Sequence, residues 1–335
     1  MAASLDPRTE LIELHLHVGG AVAPHVLWAI AHDHGFKLPV KSYWDFCDLV
    51  YADPAKVSSL GDYLDIMHLW TEKIQSSPSA IERSVYEIIG KEYRSSRVSQ
   101  IELRFNPMKR NLGGERDLDY IIAAAIRGME RACLAYGIKA GLIFCLAREF
   151  EYELNEIIVK KAEKYKTQGV IGIDLAGPEK HTLEFGGDVE RYRDLYARAR
   201  HAGLGTTIHT GETAATGPEG VLAVIEKLQP TRIGHGIAAA KSEEAMRKLV
   251  ERDIVLELCP SSNLRTHAVE NLGEFGHIVQ QFRKFGVRTT INTDGTYLLG
   301  TTLRQEFDLL LNNEILSQAE ATKAIETARA ASFMH

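Results

Sequence analysis

Six side chains able to ligate a metal or move a proton fall at the ends of short apolar runs. His15 and His17 lie two apart in ELHLHVG, and His209 is followed three residues later by Glu212 in TTIHTGE. His235 sits in RIGHG and Asp294 in TINTDG. Alternate residues of a strand point to the same side, so both imidazoles of the first pair can share one face. A lone histidine there is more often a hydrogen-bonded core residue. Two at this spacing, where Val, Ile and Leu usually stand, favour metal ligation. Three neutral imidazoles and one carboxylate around an open position suit a borderline cation such as zinc. Such a cation lowers the pKa of a bound water from about 15.7 to roughly 7. Glu212 and His235 are then groups able to hold or move a proton beside it. The competing reading, that Glu212 and His235 are an ordinary buried pair, leaves the recurrence of all six at run ends unexplained.

The runs themselves read as strands. LIELHLHVGG (11–20), QIELRFNP (100–107), KAGLIFCLAR (139–148), VIGIDLAG (170–177), GTTIHTGE (205–212), RIGHG (232–236), IVLELCP (254–260) and RTTINTDG (288–295) make eight. Most are rich in Ile, Val, Leu and Thr, too short for helices, and bounded by Gly or Pro. Between them lie helix-like segments at 117–136, 154–166, 189–202, 217–229, 242–252 and 303–313. The first has acidic residues at its start and Gly137 as a stop. Strand–helix alternation implies parallel pairing with right-handed crossovers, and eight units predict closure into an α/β (β/α)8 barrel. An open doubly wound sheet would normally carry a glycine-rich phosphate turn after its first strand, and HVGGAVAP lacks it.

Every one of the six residues then falls at the carboxyl end of its strand, the face where barrel enzymes hold their chemistry. The remaining histidines (25, 32, 34, 68, 181, 201, 267, 277 and 335) fall in helices, loops or the tail and are read as surface or packing residues. Residues 41–95 break the rhythm: they read as successive helices without a strand and carry Trp44, Phe46, Tyr63, Met67 and Trp70. Any one of these aromatics is more readily core than function, but an insertion there can form a cap over the open face. With no linker or repeat, residues 1–335 read as one domain.

A formal net charge of −6 argues against a nucleic-acid surface. Cys47, Cys133, Cys145 and Cys259 are scattered without a CxxC pair, as in reduced, cytoplasmic proteins. The start MAASLDPRTELIELHLH lacks a secretory signal pattern, and no apolar run is long enough to span a bilayer. A cytoplasmic enzyme without membrane or nucleic-acid partners is the expectation.

The ordered segments ELHLHVGGAV, IELRFNP, IDLAGPE, HTGE, RIGHG, LCPSSN and NTDG resemble the adenosine deaminase family over nearly the whole chain. HxH alone is weak, whereas HTGE, GHG and NTD in this order are specific. The resemblance implies one Zn2+ per chain with His15, His17, His209 and Asp294 as ligands. It implies that Glu212 protonates N1 of a purine, that His235 orients the attacking water, and that the Gly177 amide contacts N3. Pro178 follows Gly177 but removes only its own N–H. The implied reaction is hydrolytic deamination of a small-molecule purine nucleoside to the 6-oxo purine and ammonia. Two-metal relatives in the wider hydrolase group bridge their metals with a lysine after the fourth strand. Here none occurs before Lys180, which favours a single metal.

Two positions depart from the pattern. The family's HxHLDG or HxHLEG is HLHVGG, and its NTDDP or NSDDP is NTDGT, so acids give way to Gly19 and Gly295. In nucleoside-specific members the first acid contacts the ribose 5′-hydroxyl and the second N7. Each lost hydrogen bond costs about 0.5–1.5 kcal/mol, which disfavours plain adenosine unless other groups replace them. Alternatively Gly19 makes room for a 5′ substituent, as in aminodeoxyfutalosine or 5′-methylthioadenosine. Adenine or an N6-substituted adenine is a further alternative. A non-catalytic protein of the same fold, or amide or ester hydrolysis, is disfavoured by the intact set of six residues.

Overall fold

The computed structural model describes residues 4–112, 114, 117–178 and 189–334. Among them lie nine strands: β1 (Leu11–His17), β2 (Val98–Phe105), β3 (Lys139–Ala147), β4 (Val170–Ala176), β5 (Gly205–Thr206), β6 (His209–Thr210), β7 (Arg232–His235), β8 (Val255–Leu258) and β9 (Thr289–Ile291). They pair in chain order, all parallel, as one sheet of β1 to β5 and one of β6 to β9. The run 205–212, expected as one strand, is thus two pieces. The backbone between them changes partner: Thr207 N donates to Ile173 O at 3.0 Å, and Ile208 O accepts from Gly234 N at 2.8 Å. At the other seam Asp294 N donates to His15 O (2.9 Å) and His17 N donates to Asp294 O (2.8 Å). With β5 and β6 as one stave, eight staves close into the expected (β/α)8 barrel.

Side-chain parity in β1 follows from what each face meets. Ile12 and Leu14 pack on Ala328 of the helix Gln318–Ala331, which turns Glu13, His15 and His17 to the interior. That interior is unusually polar. The Arg104 guanidinium donates to Asp174 at 3.0 Å, Glu257 at 2.9 Å and Leu14 O at 2.7 Å. Arg232 donates to Glu257 at 2.7 Å and Glu102 at 2.5 Å. Stripping these charges of water is costly, and only several charge-assisted hydrogen bonds per ion offset it. The network therefore fixes its members tightly under the strand ends.

The outer helices follow from ordinary signals. Leu118–Tyr136 is capped by Asp117, whose carboxylate accepts from Asp119 N, and ends at Gly137 with φ +66°, as its acidic start and glycine stop suggested. Among the described residues no helix is long and apolar enough to cross a membrane. Between β1 and β2 the chain is helical without a strand, as read for 41–95. The last helix of that stretch, Pro78–Ser96, packs along β2 and Leu118–Tyr136 and so belongs to the outer layer. Shorter helices Tyr43–Leu49 and Leu60–Ile66, a π-helical turn Met67–Thr71 and the turn Glu72–Ile74 precede it. Tyr63 and Met67 are buried there with Leu298 and Leu299, just beyond β9, whereas Trp44 is exposed.

Candidate active site

Closure of the barrel puts the C-terminal ends of β1, β6 and β7 and Asp294, three residues beyond β9, on one rim, and their side chains converge across it. His15, His17, His209 and Asp294 each offer a ligand atom, and all these atoms lie within 4.8 Å of one another. His17 Nε2 is 3.0 Å from His209 Nε2, and Asp294 Oδ1 lies 3.4 Å from His17 Nε2 and 3.7 Å from His15 Nε2. Asp294 and His235 both adopt left-handed backbone, φ +65° and +60°, which is uncommon for side chains other than glycine. For Asp294 the two seam hydrogen bonds to β1 hold it. Strain of this kind collects at functional sites.

The residues around this set determine how its nitrogens face. His15 Nδ1 donates to Glu257 at 2.7 Å, and His209 Nδ1 donates to Asp174 at 3.0 Å, so each ring presents Nε2 to the centre. His15 Nε2 is buried and has no hydrogen-bond partner. Burial holds His15, His17 and His235 well below the ordinary imidazole pKa, with nearby Arg104 and His209 adding to the effect. They are neutral lone-pair donors. An orphaned nitrogen, three imidazoles and a carboxylate fit a zinc-like cation. A second grouping, His15 with His235 and Cys259, is also within 4.8 Å. It fits less well, because burial pushes the Cys259 thiol well above its ordinary pKa and a thiol is a poor ligand.

Glu212 Oε2 stands 3.6 Å from His235 Nε2, and the Asn263 amide donates to His235 Nδ1 at 3.1 Å. Ser262 donates to Asp294 Oδ2 at 2.6 Å. All six residues singled out by spacing therefore meet. Asp174, Glu257, Ser262 and Asn263 orient them and are not among the residues that spacing singles out; a charged residue inside the apolar runs VIGIDLAG and IVLELCP is the available signal for Asp174 and Glu257.

The cleft above has two compartments whose walls share His17, Leu64, Met67, Ala176 and Gly177. One, about 340 Å3 of empty space, is lined by His17, Tyr63, His209, Glu212, His235 and Asp294. The other, about 430 Å3 and partly open to solvent, runs over Gly19, His68, Glu72, Asn106, Lys109 and Arg110. Gly177, with φ +109°, borders both.

Two sequence readings need correction here. Gly19 does not by itself leave a void: a Cβ there would stand 2.9 Å from Met67 Cε, 3.2 Å from Glu72 Cγ and 3.3 Å from Arg110 Nη2. Those side chains have taken the room. His68, read as surface or packing, lines the cleft, its Nδ1 2.6 Å from Glu72 and its Nε2 3.4 Å from Lys109. Gly295 is likewise crowded, a Cβ there lying 2.6 Å from the Tyr63 hydroxyl. His181, His335 and Lys180 lie outside the described residues.

Comparison with known proteins gives a consistent result. The family model described as adenosine deaminase matches residues 10–335. The chain is 32% identical over 323 residues to an adenosine deaminase of Enterococcus faecalis, covering 96% of this chain and 91% of that one. Its fold matches the adenine deaminase of Arthrobacter aurescens with a TM-score of 0.84 at 21% identity, covering 97% and 94% of the two chains. An amidohydrolase from Burkholderia ambifaria with bound Zn gives a TM-score of 0.83 at 21% identity, covering 98% and 87%.

Proposed function

The chain belongs to the adenosine deaminase family, hydrolases of carbon–nitrogen bonds, and we propose that it deaminates a 6-aminopurine nucleoside carrying a substituent at its 5′ end. The observation that supports the finer part is the second compartment, which shares His17, Leu64, Met67, Ala176 and Gly177 with the wall of the reaction centre and adds room beside it.

His15, His17, His209 and Asp294 would hold one Zn2+ per chain. The ion would supply Lewis acidity, making a water nucleophilic near neutral pH. Glu212, beside the ligand set, donates a proton to the ring nitrogen next to the amino-bearing carbon, so the ring can accept the oxygen there. His235, held by Asn263, takes up the proton released from the water and returns it to the departing amine. Asp294, held by Ser262, keeps its carboxylate turned to the centre. The Gly177 N–H is the donor to a second ring nitrogen, while Gly19 and Gly295 border the substrate without side chains of their own. Ammonia leaves, the oxygen added at that carbon gives its remaining proton back to Glu212, and a 6-oxo purine remains. The whole chain acts as one domain, and within the stretch 41–95 the part that precedes the outer-layer helix Pro78–Ser96 supplies the cap. The four free thiols suit a cytoplasmic setting without nucleic-acid or membrane partners.

The test is ammonia release by zinc-loaded protein from adenosine, 2′-deoxyadenosine, adenine, 5′-methylthioadenosine and aminodeoxyfutalosine, with Glu212→Gln as control. A 5′-extended nucleoside should be turned over best and the control should abolish it. Better turnover of adenosine or adenine would overturn the substrate assignment.

A further inference from the structure

Two buried side chains in the second compartment carry N–H groups without hydrogen-bond acceptors. Arg110 is fully buried, and its contact is an ion pair from Nη1 to Glu72 Oε1 at 2.7 Å. Among the described residues no nitrogen of its guanidinium makes a well-directed hydrogen bond, Nε and Nη2 included. Asn106 is 4% exposed. Its orientation is fixed, because Oδ1 accepts from the backbone N–H of Met108 (2.9 Å) and Lys109 (3.0 Å). Nδ2 is thereby turned the other way, and it has no partner. Leaving a buried donor unsatisfied costs about 1–3 kcal/mol, more for a charged group. Proteins therefore rarely keep two in one cavity wall unless something outside the fold satisfies them.

We infer that Arg110 and Asn106 form a subsite for an anionic group, a carboxylate or phosphate, at the 5′ end of the substrate. This rests on the reading of the reaction centre as a 6-aminopurine nucleoside deaminase. A planar guanidinium with free N–H groups is the fork that such oxygens accept from, and the amide adds a third direction. The other charged groups on the compartment wall set the strength of the preference. Arg110 and Lys109 are matched by Glu72 and by Glu149, which accepts from Lys109 at 2.5 Å. His68 bridges Glu72 and Lys109. With these charges balanced, selectivity comes from the directed donors rather than from a strong local field, so a moderate preference is expected. Gly19 belongs to the same device: a side chain there would meet Glu72 and Arg110 and disturb the fork.

The experiment measures kcat/KM for matched pairs on the zinc-loaded enzyme: neutral 5′-methylthioadenosine against adenosine 5′-monophosphate and against an adenine nucleoside bearing a 5′ aryl carboxylate. The readout is the anionic-to-neutral ratio, which partial loss of folded protein does not move. At least one anionic arm should exceed the neutral one, and which of the two does so separates phosphate from carboxylate. Arg110→Met should lower the ratio about 10- to 100-fold, and Asn106→Ala about 2- to 10-fold. Glu72→Gln should raise it, because the fork loses its internal competitor. That change of sign keeps the inference testable if Arg110→Met fails to fold. A ratio near one that none of the variants moves overturns the subsite and leaves the deaminase reading standing. Failure to deaminate any member of the set overturns both.

Discussion

The hydroxyl of Tyr63 stands where a side chain on residue 295 would begin, 2.6 Å from the ideal Cβ position of Gly295. The tyrosine is 2% exposed, lines the compartment of Glu212 and Asp294, and its hydroxyl has no hydrogen-bond partner. Burial, with Asp294 and Glu212 nearby, pushes the phenol well above its ordinary pKa, so it remains a donor. The cap thus provides a polar group in the space that an acid after NTD would use. Tyr63→Phe should lower kcat/KM on the preferred nucleoside about 3- to 10-fold, the worth of one neutral hydrogen bond. Thermal unfolding should change little or improve, since an unsatisfied buried hydroxyl is removed. A lower melting temperature with unchanged kinetics would make Tyr63 a packing residue only.

Glu72 gives a prediction in pH. Burial opposes its ionisation, but the Arg110 guanidinium, the His68 hydrogen bond and Lys109 outweigh that and hold its carboxyl well below the ordinary value of 4.5. The folded state therefore prefers the ionised form more than the unfolded chain does. Its contribution to stability is complete above the unfolded pKa of 4.5 and is lost as pH falls through the lower folded value. Denaturant midpoints taken from about pH 7 down to about pH 3 should decline less steeply in Glu72→Gln than in the parent protein. Parallel acid limbs would show that the Arg110–Glu72 contact carries no linkage.

How much of this could be read from the chain depends on which distances the chain itself encodes. Strand parity is local, so His15 and His17 in HLH, and the placing of Glu212 after HTG, could be read directly. The barrel then brought together four strand ends far apart in sequence, and the eightfold rhythm of apolar runs implied as much. The helix Gln318–Ala331 lies outside the expected helical segments although Ser317 and Glu320 form a capping box, the kind of signal a sequence does show. Contacts of the cap are of another sort. That Tyr63 meets Gly295, or that Glu72 and Arg110 fill the room beside Gly19, depends on the path of the 80 residues between β1 and β2 and of the turn Met108–Arg110 after β2. A π-helical turn at Met67–Thr71 shifts the helical register there, so that Tyr63, Met67 and Glu72 all reach the cleft. A 3.6-residue pattern does not foresee that shift. The same missing information makes Gly19 look like a vacancy in the sequence.

Asp174 acts on the centre through His209. It accepts from His209 Nδ1 at 3.0 Å and from Arg104 at 3.0 Å, both within the buried floor of the barrel. By fixing the tautomer it turns the His209 Nε2 lone pair toward His17 and Asp294. Asp174→Asn keeps the shape but removes the charge, and its amide can turn a donor toward the imidazole. Zinc affinity, measured by competition with a chromogenic chelator, should fall about 10- to 100-fold, the usual cost of losing such a partner. Deamination should then be regained as zinc is raised, whereas Asp294→Ala should not recover at any zinc level. Unaltered affinity in Asp174→Asn, with Arg104 still holding the floor together, would mean that β6 alone orients His209 and that the carboxylate serves the ion network instead.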